Sequence, residues 1–198
     1  SRAMIFSNSV LLIRALPART SFGIFFEHVT NLMNMRELED EGKVMALAVH
    51  ADLDARAATH LDDLIRIEAS PRLRVRVASN PERRLREALW KLGPERFAAV
   101  VQRVAENAVL ALARAALAAT GMTRLAVAGG VFANVRINRR LREESLPGGP
   151  IPFHVFPHMG DGGLALGAVL TSPVALDPYL GTPVDAEATL AAARAEGF

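Results

Sequence analysis

Residues 124–141 read RLAVAGGVFANVRINRRL and residues 153–170 read FHVFPHMGDGGLALGAVL. In the first stretch Arg124–Ala128 is a short apolar strand, Gly129-Gly130 a tight turn, and Phe132–Glu144 a helix with Asn134, Asn138 and several arginines on its outer face. The second repeats the order, with a strand at Phe153–Phe156, a glycine-rich turn at Met159–Gly163 and a compact apolar helix at Gly163–Leu170. Strand, glycine turn and helix, twice over, predict a parallel α/β layer with two buried strands. Such sheets bind ligands at the carboxyl ends of their strands, so the two glycine turns are expected to meet at the rim of one cleft.

Working back towards the N-terminus, Gly121 ends a long helix over Glu95–Ala119, whose inner stripe is Phe97, Val100, Val101, Val104, Ala108 and Leu112. Glu82–Leu92 is a shorter amphipathic helix, set off by Asn80-Pro81 before it and Gly93-Pro94 after it. Leu73–Val77 alternates as a strand with Leu73, Val75 and Val77 on one face, and His60–Ile67 reads as a connection. Apolar residues from Phe22 to Met33 recur at three and four, giving a helix with Ser21 as N-cap. The acidic run Glu37–Glu41 opens another through Ala48, as the positive end of a helix dipole favours. Val10–Ile13 is a strand candidate, Pro147–Pro152 a loop, the stretch after Pro173 a connector, and Ala186–Glu196 a small helix.

The 198 residues, 51% hydrophobic and 22% charged with mean hydropathy +0.19, are too apolar for disorder. They suit one domain, or one plus part of another. The apolar stretch Phe97–Thr120 is broken by Arg103, Glu106 and Arg114, so no membrane span is expected. SRAMIFSNS carries no signal-peptide pattern and cysteine is absent, so a cytoplasmic home is expected. A pI near 9.6 overstates a net charge of only +2. Arg72, Arg74, Arg76, Arg83, Arg84 and Arg86 cluster without an aromatic before Trp90. Stacking on bases needs such aromatics, so a solvated basic surface is expected rather than a nucleic-acid site.

Adjacent glycines at a strand end let backbone amides approach a ligand, and the helix beyond offers free N–H groups to an anion. Asn134, in its first turn, could face the same ligand; a bare βα turn is the competing reading. Asp161, between glycines at a strand mouth, could give a metal ion a hard oxygen ligand, although taken alone it reads better as an N-cap. Gly160, Gly162 and Ala165 mimic a dinucleotide fingerprint, but Asp161 would repel a pyrophosphate. His154 and His158 lie on a strand interrupted by Pro157, about 13 Å apart, too far for one ion. Lys43 is one of two lysines, with Lys91, in an arginine-rich chain, and it reads as a phosphate or carbonyl contact or as an i,i+4 partner of Glu39.

Taken together, SFGIFFEHVT (21–30), EDEGKVMALA (39–48), LAVAGGVFANVRINRRL (125–141), PHMGDGGLALGAVL (157–170) and DPYLGTP (177–183) occur in the order of the NodU/CmcH-type O-carbamoyltransferases, which the chain resembles from about Val10 onward. The resemblance implies an α/β fold, the second lobe of an actin-like ATPase (ribonuclease-H-like, Kae1/TsaD-like) with added helices. It implies a lobe over residues 1–172 and, over 173–198, a connector towards a YrdC-like domain. The first lobe and that domain would then be partners elsewhere in the same polypeptide, this piece being truncated and inactive alone. The implied reaction moves a carbamoyl group from carbamoyl-adenylate, made from carbamoyl phosphate and ATP, to the hydroxyl of a small-molecule acceptor. By the same resemblance Asp161 is a ligand of a divalent metal, Fe2+ being the usual one. Gly129, Gly130, Val131 and Asn134 pack around the nucleotide, and Asp40, Glu41 and Lys43 line its opposite wall. No catalytic residue is implied. The family's G-L-A-P-Y is here Ala46-Leu47-Ala48-Val49-His50, and PHMGDGG leans towards the P-P-N-D-G-G of hydrogenase-maturation carbamoyltransferases. A sugar-kinase-like phosphotransferase on the same fold and an inert nucleotide-binding lobe are the alternatives.

Overall fold

Pro94 at its first position and Gly121 just past its end bracket a 27-residue helix, α4 (Pro94–Thr120), about 40 Å long at 1.5 Å per residue. In this computed structural model, which describes residues 16–51, 61–69, 73–144, 152–170 and 185–196, α4 packs against the helices at Glu41–Leu47, Pro81–Leu92 and Val135–Glu143 and the strand at Ile65–Glu68. Every residue from Phe97 to Gln102 is buried, more than the one apolar stripe expected from the sequence. A helix buried all round its circumference needs cover on several sides.

That cover comes in two clusters. Around its first half, Phe97, Val100, Val101 and Val104 pack with Val29 of α1 (Phe22–Leu32), Val44 of α2 (Glu41–Leu47) and Leu85 of α3 (Pro81–Leu92). Around its second half, Ala105, Val109, Leu110 and Leu117 pack with Phe26 of α1 and with Ile137 and Leu141 of α5 (Val135–Glu143). Helix α1 therefore serves both clusters. Ser21 stands at its N-cap position, as expected, but without a side-chain capping bond.

The strands form two pairs. β1 (Ile65–Glu68) runs antiparallel to β2 (Arg74–Val77), with Ile65 opposite Val77 and Glu68 opposite Arg74. β1 arises inside the segment read as a connection, and of the expected apolar face of β2 only Val75 is buried while Val77 is exposed. β3 (Leu125–Val127) and β4 (Phe153–Val155) are parallel, Leu125 opposite Phe153, with α5 in the crossover. This is the expected α/β arrangement. The expected burial of its strands does not hold: Leu125, Val127, Phe153 and Val155 are half-buried, and Ala126 and His154 are exposed. Among the described residues the sheet has only two strands, and the second cluster covers it through Leu125 and Phe153 alone.

The chain divides into two compact units, Ser1–Gly163 and Leu164–Phe198. α6 (Gly163–Val169) begins at their boundary and leaves Leu164 and Val169 exposed. In the second unit α7 (Ala186–Ala195) is capped by Asp185, whose carboxylate accepts from the N–H groups of Glu187 and Ala188. The strand candidate at 10–13, Arg72, most of the loop at 147–152 and the expected boundary at 172/173 lie outside the described residues. Three arginines of the cluster are paired, Arg76 with Glu68, Arg83 with Glu87 and Arg84 with Asp63. Among the described residues no helix is long and apolar enough to cross a membrane.

Phe97 is 0% exposed and Trp90 is 91% exposed. Phe97→Ala is expected to cost about 3–5 kcal/mol of folding stability. Trp90→Ala, although it deletes a larger ring, should change stability by no more than about 0.5 kcal/mol. Urea unfolding followed by circular dichroism checks both.

Candidate functional site

Both strands of the parallel pair are only three residues long, and their pairing is carried forward by the backbone beyond them. The Phe156 N–H donates to the Val127 carbonyl at 3.1 Å, and the Gly129 N–H donates to the Met159 carbonyl at 2.7 Å. The second bond ties the glycine turn after β3 to the glycine turn after β4. Gly129 itself has φ +116° and ψ +149°, a region open essentially to glycine alone.

After Gly129 the chain makes a 3-10 turn, Gly130–Ala133, before α5 starts at Val135. The helix expected from Phe132 therefore begins three residues late, and Asn134 becomes its N-cap. The Asn134 Oδ1 accepts from the Ile137 N–H at 3.2 Å, and Asn138 Nδ2 donates to the Phe132 carbonyl at 2.7 Å. Asn134 is also half of a side-chain amide pair. Its Nδ2 donates to Gln102 Oε1 at 2.8 Å, and its Oδ1 accepts from Gln102 Nε2 at 3.1 Å. Gln102 Nε2 further donates to Glu106 Oε1 at 2.8 Å. The Glu106 carboxylate meets Arg136 at 3.3 Å and Arg140 at 3.5 Å. Gln102 is 0% exposed. Sequence reasoning missed it, and saw Glu106 only as a charge interrupting an apolar run. The signal was a polar pair four apart inside a stripe of small apolar residues.

Asp161 is exposed and its carboxylate has no ion pair or hydrogen bond within the described residues. The expected N-cap role is not realised, because the helix beyond starts at Gly163 and the Gly163 N–H bonds to the Gly160 carbonyl instead. Of the two glycines after it, Gly163 is sterically required, because an added Cβ would run into the His158 carbonyl oxygen and the Phe156 ring, whereas a Cβ on Gly162 would meet only the imidazole of the exposed His158, which can turn away. His154 lies apart, exposed on β4. Among the described residues no three His, Asp or Glu side chains gather as a metal site. Asp161 can therefore supply one ligand and does not hold an ion with the described residues alone.

The acidic–lysine segment is organised by its own contacts. Lys43 Nζ bonds Asp40 Oδ1 at 2.7 Å rather than the expected Glu39, which pairs with Arg36. Asp40 Oδ2 accepts from the Arg36 N–H, and Glu41 Oε1 from the Leu38 N–H. The Lys43 ammonium, and secondarily the Arg36 N–H, hold the Asp40 carboxyl below its ordinary range. No hydrogen bond or ion pair among the described residues joins this segment to the glycine turns; α1 lies against both α2 and the 3-10 turn. A shallow concavity of about 260 Å³ lies elsewhere, between α4 and α5, lined by Glu106, Arg136, Arg139, Arg140, Glu143 and Glu144. Its charges balance, and none of the expected site residues lines it.

Gly163→Ala should destabilise the protein by about 1–3 kcal/mol through overpacking. Gly42→Ala, where an added Cβ meets nothing within 4 Å, should instead stabilise α2 by roughly 0.5–1 kcal/mol. Thermal unfolding distinguishes them. Because the Asp40 value is depressed by folding, its contacts stabilise the fold above the ordinary carboxylate range and lose that effect as pH falls through the depressed value. Lys43→Met should therefore move the Asp40 titration upward, as followed by carboxyl carbon-13 NMR.

The family described as "Carbamoyltransferase N-terminus" matches residues 3–170. The uncharacterized protein MJ1058 of Methanocaldococcus jannaschii is 31% identical over 165 residues, covering 79% of this chain and 26% of its own length. The uncharacterized protein MJ1051 of the same organism is 29% identical over 177 residues, covering 82% of this chain and 32% of its own. This chain thus spans about a quarter to a third of these relatives. Among solved structures, full-length HypF in its phosphate- and nucleotide-bound form is similar with a TM-score of 0.52 and 22% identity, over 74% of this chain and 19% of that one. That likeness is one of fold, whereas the family match runs over most of the sequence: the chain belongs to the carbamoyltransferase N-terminus family.

Proposed function

We propose that this chain is the second lobe of a Kae1-like, actin-like carbamoyltransferase domain, serving transfer of a carbamoyl group from carbamoyl-adenylate to a substrate hydroxyl. The observation that carries this reading is the Gly129–Met159 hydrogen bond, which sets the glycine turn beside the turn bearing Asp161, a carboxylate without a partner among the described residues. The first N–H groups of the Gly130–Ala133 turn have no acceptor within that turn, and such groups favour an anion. The nucleotide phosphate is the anion assigned to them, with Gly129, Gly130 and Val131 against the ligand and Asn134 fixing the turn. Asp40, Glu41 and Lys43 form the opposite wall, where Lys43 keeps 69% of its side chain exposed. That HypF was obtained with phosphate and nucleotide bound supports the same ligand class.

In the reaction the acceptor oxygen attacks the carbamoyl carbon, the bond from that carbon to the phosphate oxygen breaks, and AMP leaves with the electron pair. The hydroxyl proton is released to solvent water. Holding nucleotide and acceptor together supplies much of the acceleration. Residues 1–172 belong to the lobe and 173–198 to the connector, with the first lobe and a YrdC-like domain in the rest of the polypeptide. Asp161 gives one oxygen ligand to a divalent metal whose other ligands lie outside the described residues. A second reading, a hydrogenase-maturation carbamoyltransferase, draws on PHMGDGG at 157–163.

In the full-length protein, ATP titrated calorimetrically should bind, and Asp161→Ala should lose bound iron and carbamoyl transfer together. Iron retained by the variant removes the ligand assignment; no heat with ATP, with or without Fe2+, removes the nucleotide reading.

A further inference from the structure

The amide pair between Gln102 and Asn134 has a definite direction. A cyclic pair of amides could exchange its oxygens and nitrogens and keep both bonds, but each end here meets a group that permits one orientation only. Glu106 is a carboxylate and accepts only, so the Gln102 nitrogen must face it, at 2.8 Å. The Gln102 oxygen is then left for Asn134 Nδ2, at 2.8 Å. That turns Asn134 Oδ1 towards the Ile137 N–H, which can only donate. The orientation is thus relayed from the buried middle of α4 to the first turn of α5. Buried polar groups that satisfy one another completely rigidify what they join. The segment joined here is the Gly129–Asn134 turn.

We infer that Gln102 is a positioning residue, oriented by Glu106, that holds Asn134 and so keeps the Gly129–Asn134 turn in the conformation in which it receives the nucleotide phosphate. This rests on the nucleotide reading above and adds to it a residue 32 positions from Asn134, which no local motif marks. Gln102 touches no ligand itself. Its amide fixes the cap, the cap fixes the start of α5, and the start of α5 fixes the amides ahead of it.

The test uses the full-length protein with Gln102→Met, which keeps length and apolar volume and removes the amide. Hydrogen exchange of residues 130–138 without ligand and the calorimetric affinity for ATP are both measured. Exchange there should quicken about tenfold or more and ATP affinity fall about tenfold or more, the scale of losing the two half-buried bonds to Asn134, while exchange in α1 and β1 stays as it was. Unchanged exchange in 130–138, or faster exchange with unaltered ATP affinity, overturns the inference. Should Gln102→Met fail to fold, Asn134→Ser breaks the pair from the other side while keeping an N-cap oxygen, and the same two measurements apply. Where both fold, the double variant should match the worse single one; additive losses also overturn the inference. Faster exchange in a protein whose unsubstituted form binds no ATP keeps the hold on the turn and overturns the nucleotide reading alone.

Discussion

Two three-residue strands cannot by their own ladder decide where the turns beyond them lie, and the bond from the Gly129 N–H to the Met159 carbonyl supplies what the ladder lacks. It needs Gly129 in a conformation closed to side chains, and it needs Met159 presented by a turn in which Gly163 leaves room for the His158 carbonyl and the Phe156 ring. Substituting these glycines would do more than strain them: it would release the register between the two strand ends. Family membership rests on the sequence match over residues 3–170, and this one backbone contact holds the two turns beyond the strands next to each other.

The second dependence runs through α4. A helix buried on most of its surface could have been apolar throughout, and replacing buried ion pairs by apolar groups is often neutral or stabilising. Instead α4 keeps Gln102 and Glu106 inside and spends them on α5. Glu106 is matched by Arg136 and Arg140, so its burial is compensated, and the arginines bind α5 to α4 beside the amide pair. Apolar contacts from Ile137 and Leu141 hold α5 against α4, but they are tolerant of small rotations. The polar relay is not, since amide bonds weaken steeply with angle.

What the sequence made legible was mostly local. Helices α1, α3, α4 and α7 were readable because each is written in a 3.6-residue rhythm or closed by Pro, Gly or a capping Asp. The parallel pair was readable from glycine turns repeated after apolar strands. Its burial was misread because apolar composition says that a strand can be covered, not that anything covers it. β1 was hidden because Ile-Arg-Ile-Glu becomes a strand only when Arg74–Val77 arrives to pair with it. Asn134 stands out in the sequence by its place after the glycine turn; its pairing with Gln102 on another helix is visible only in the fold. Lys43 was likewise noticed, but the helix starts at Glu41, so Asp40 rather than Glu39 stands within reach.

Asp161 marks the limit of that local reading from the other side. A carboxylate between glycines ahead of a helix is most simply a cap, and the capping preference of Asp is strong. The chain declines that use: the Gly163 N–H takes a backbone carbonyl, and the carboxylate is left with no partner in the described structure. Gly163, where a Cβ would strike the His158 carbonyl oxygen, follows a carboxylate that no described residue engages. A packing-fixed glycine beside an unengaged carboxylate, two residues from the Met159 carbonyl that binds the Gly129 turn, is the arrangement from which the proposed ligand role of Asp161 starts.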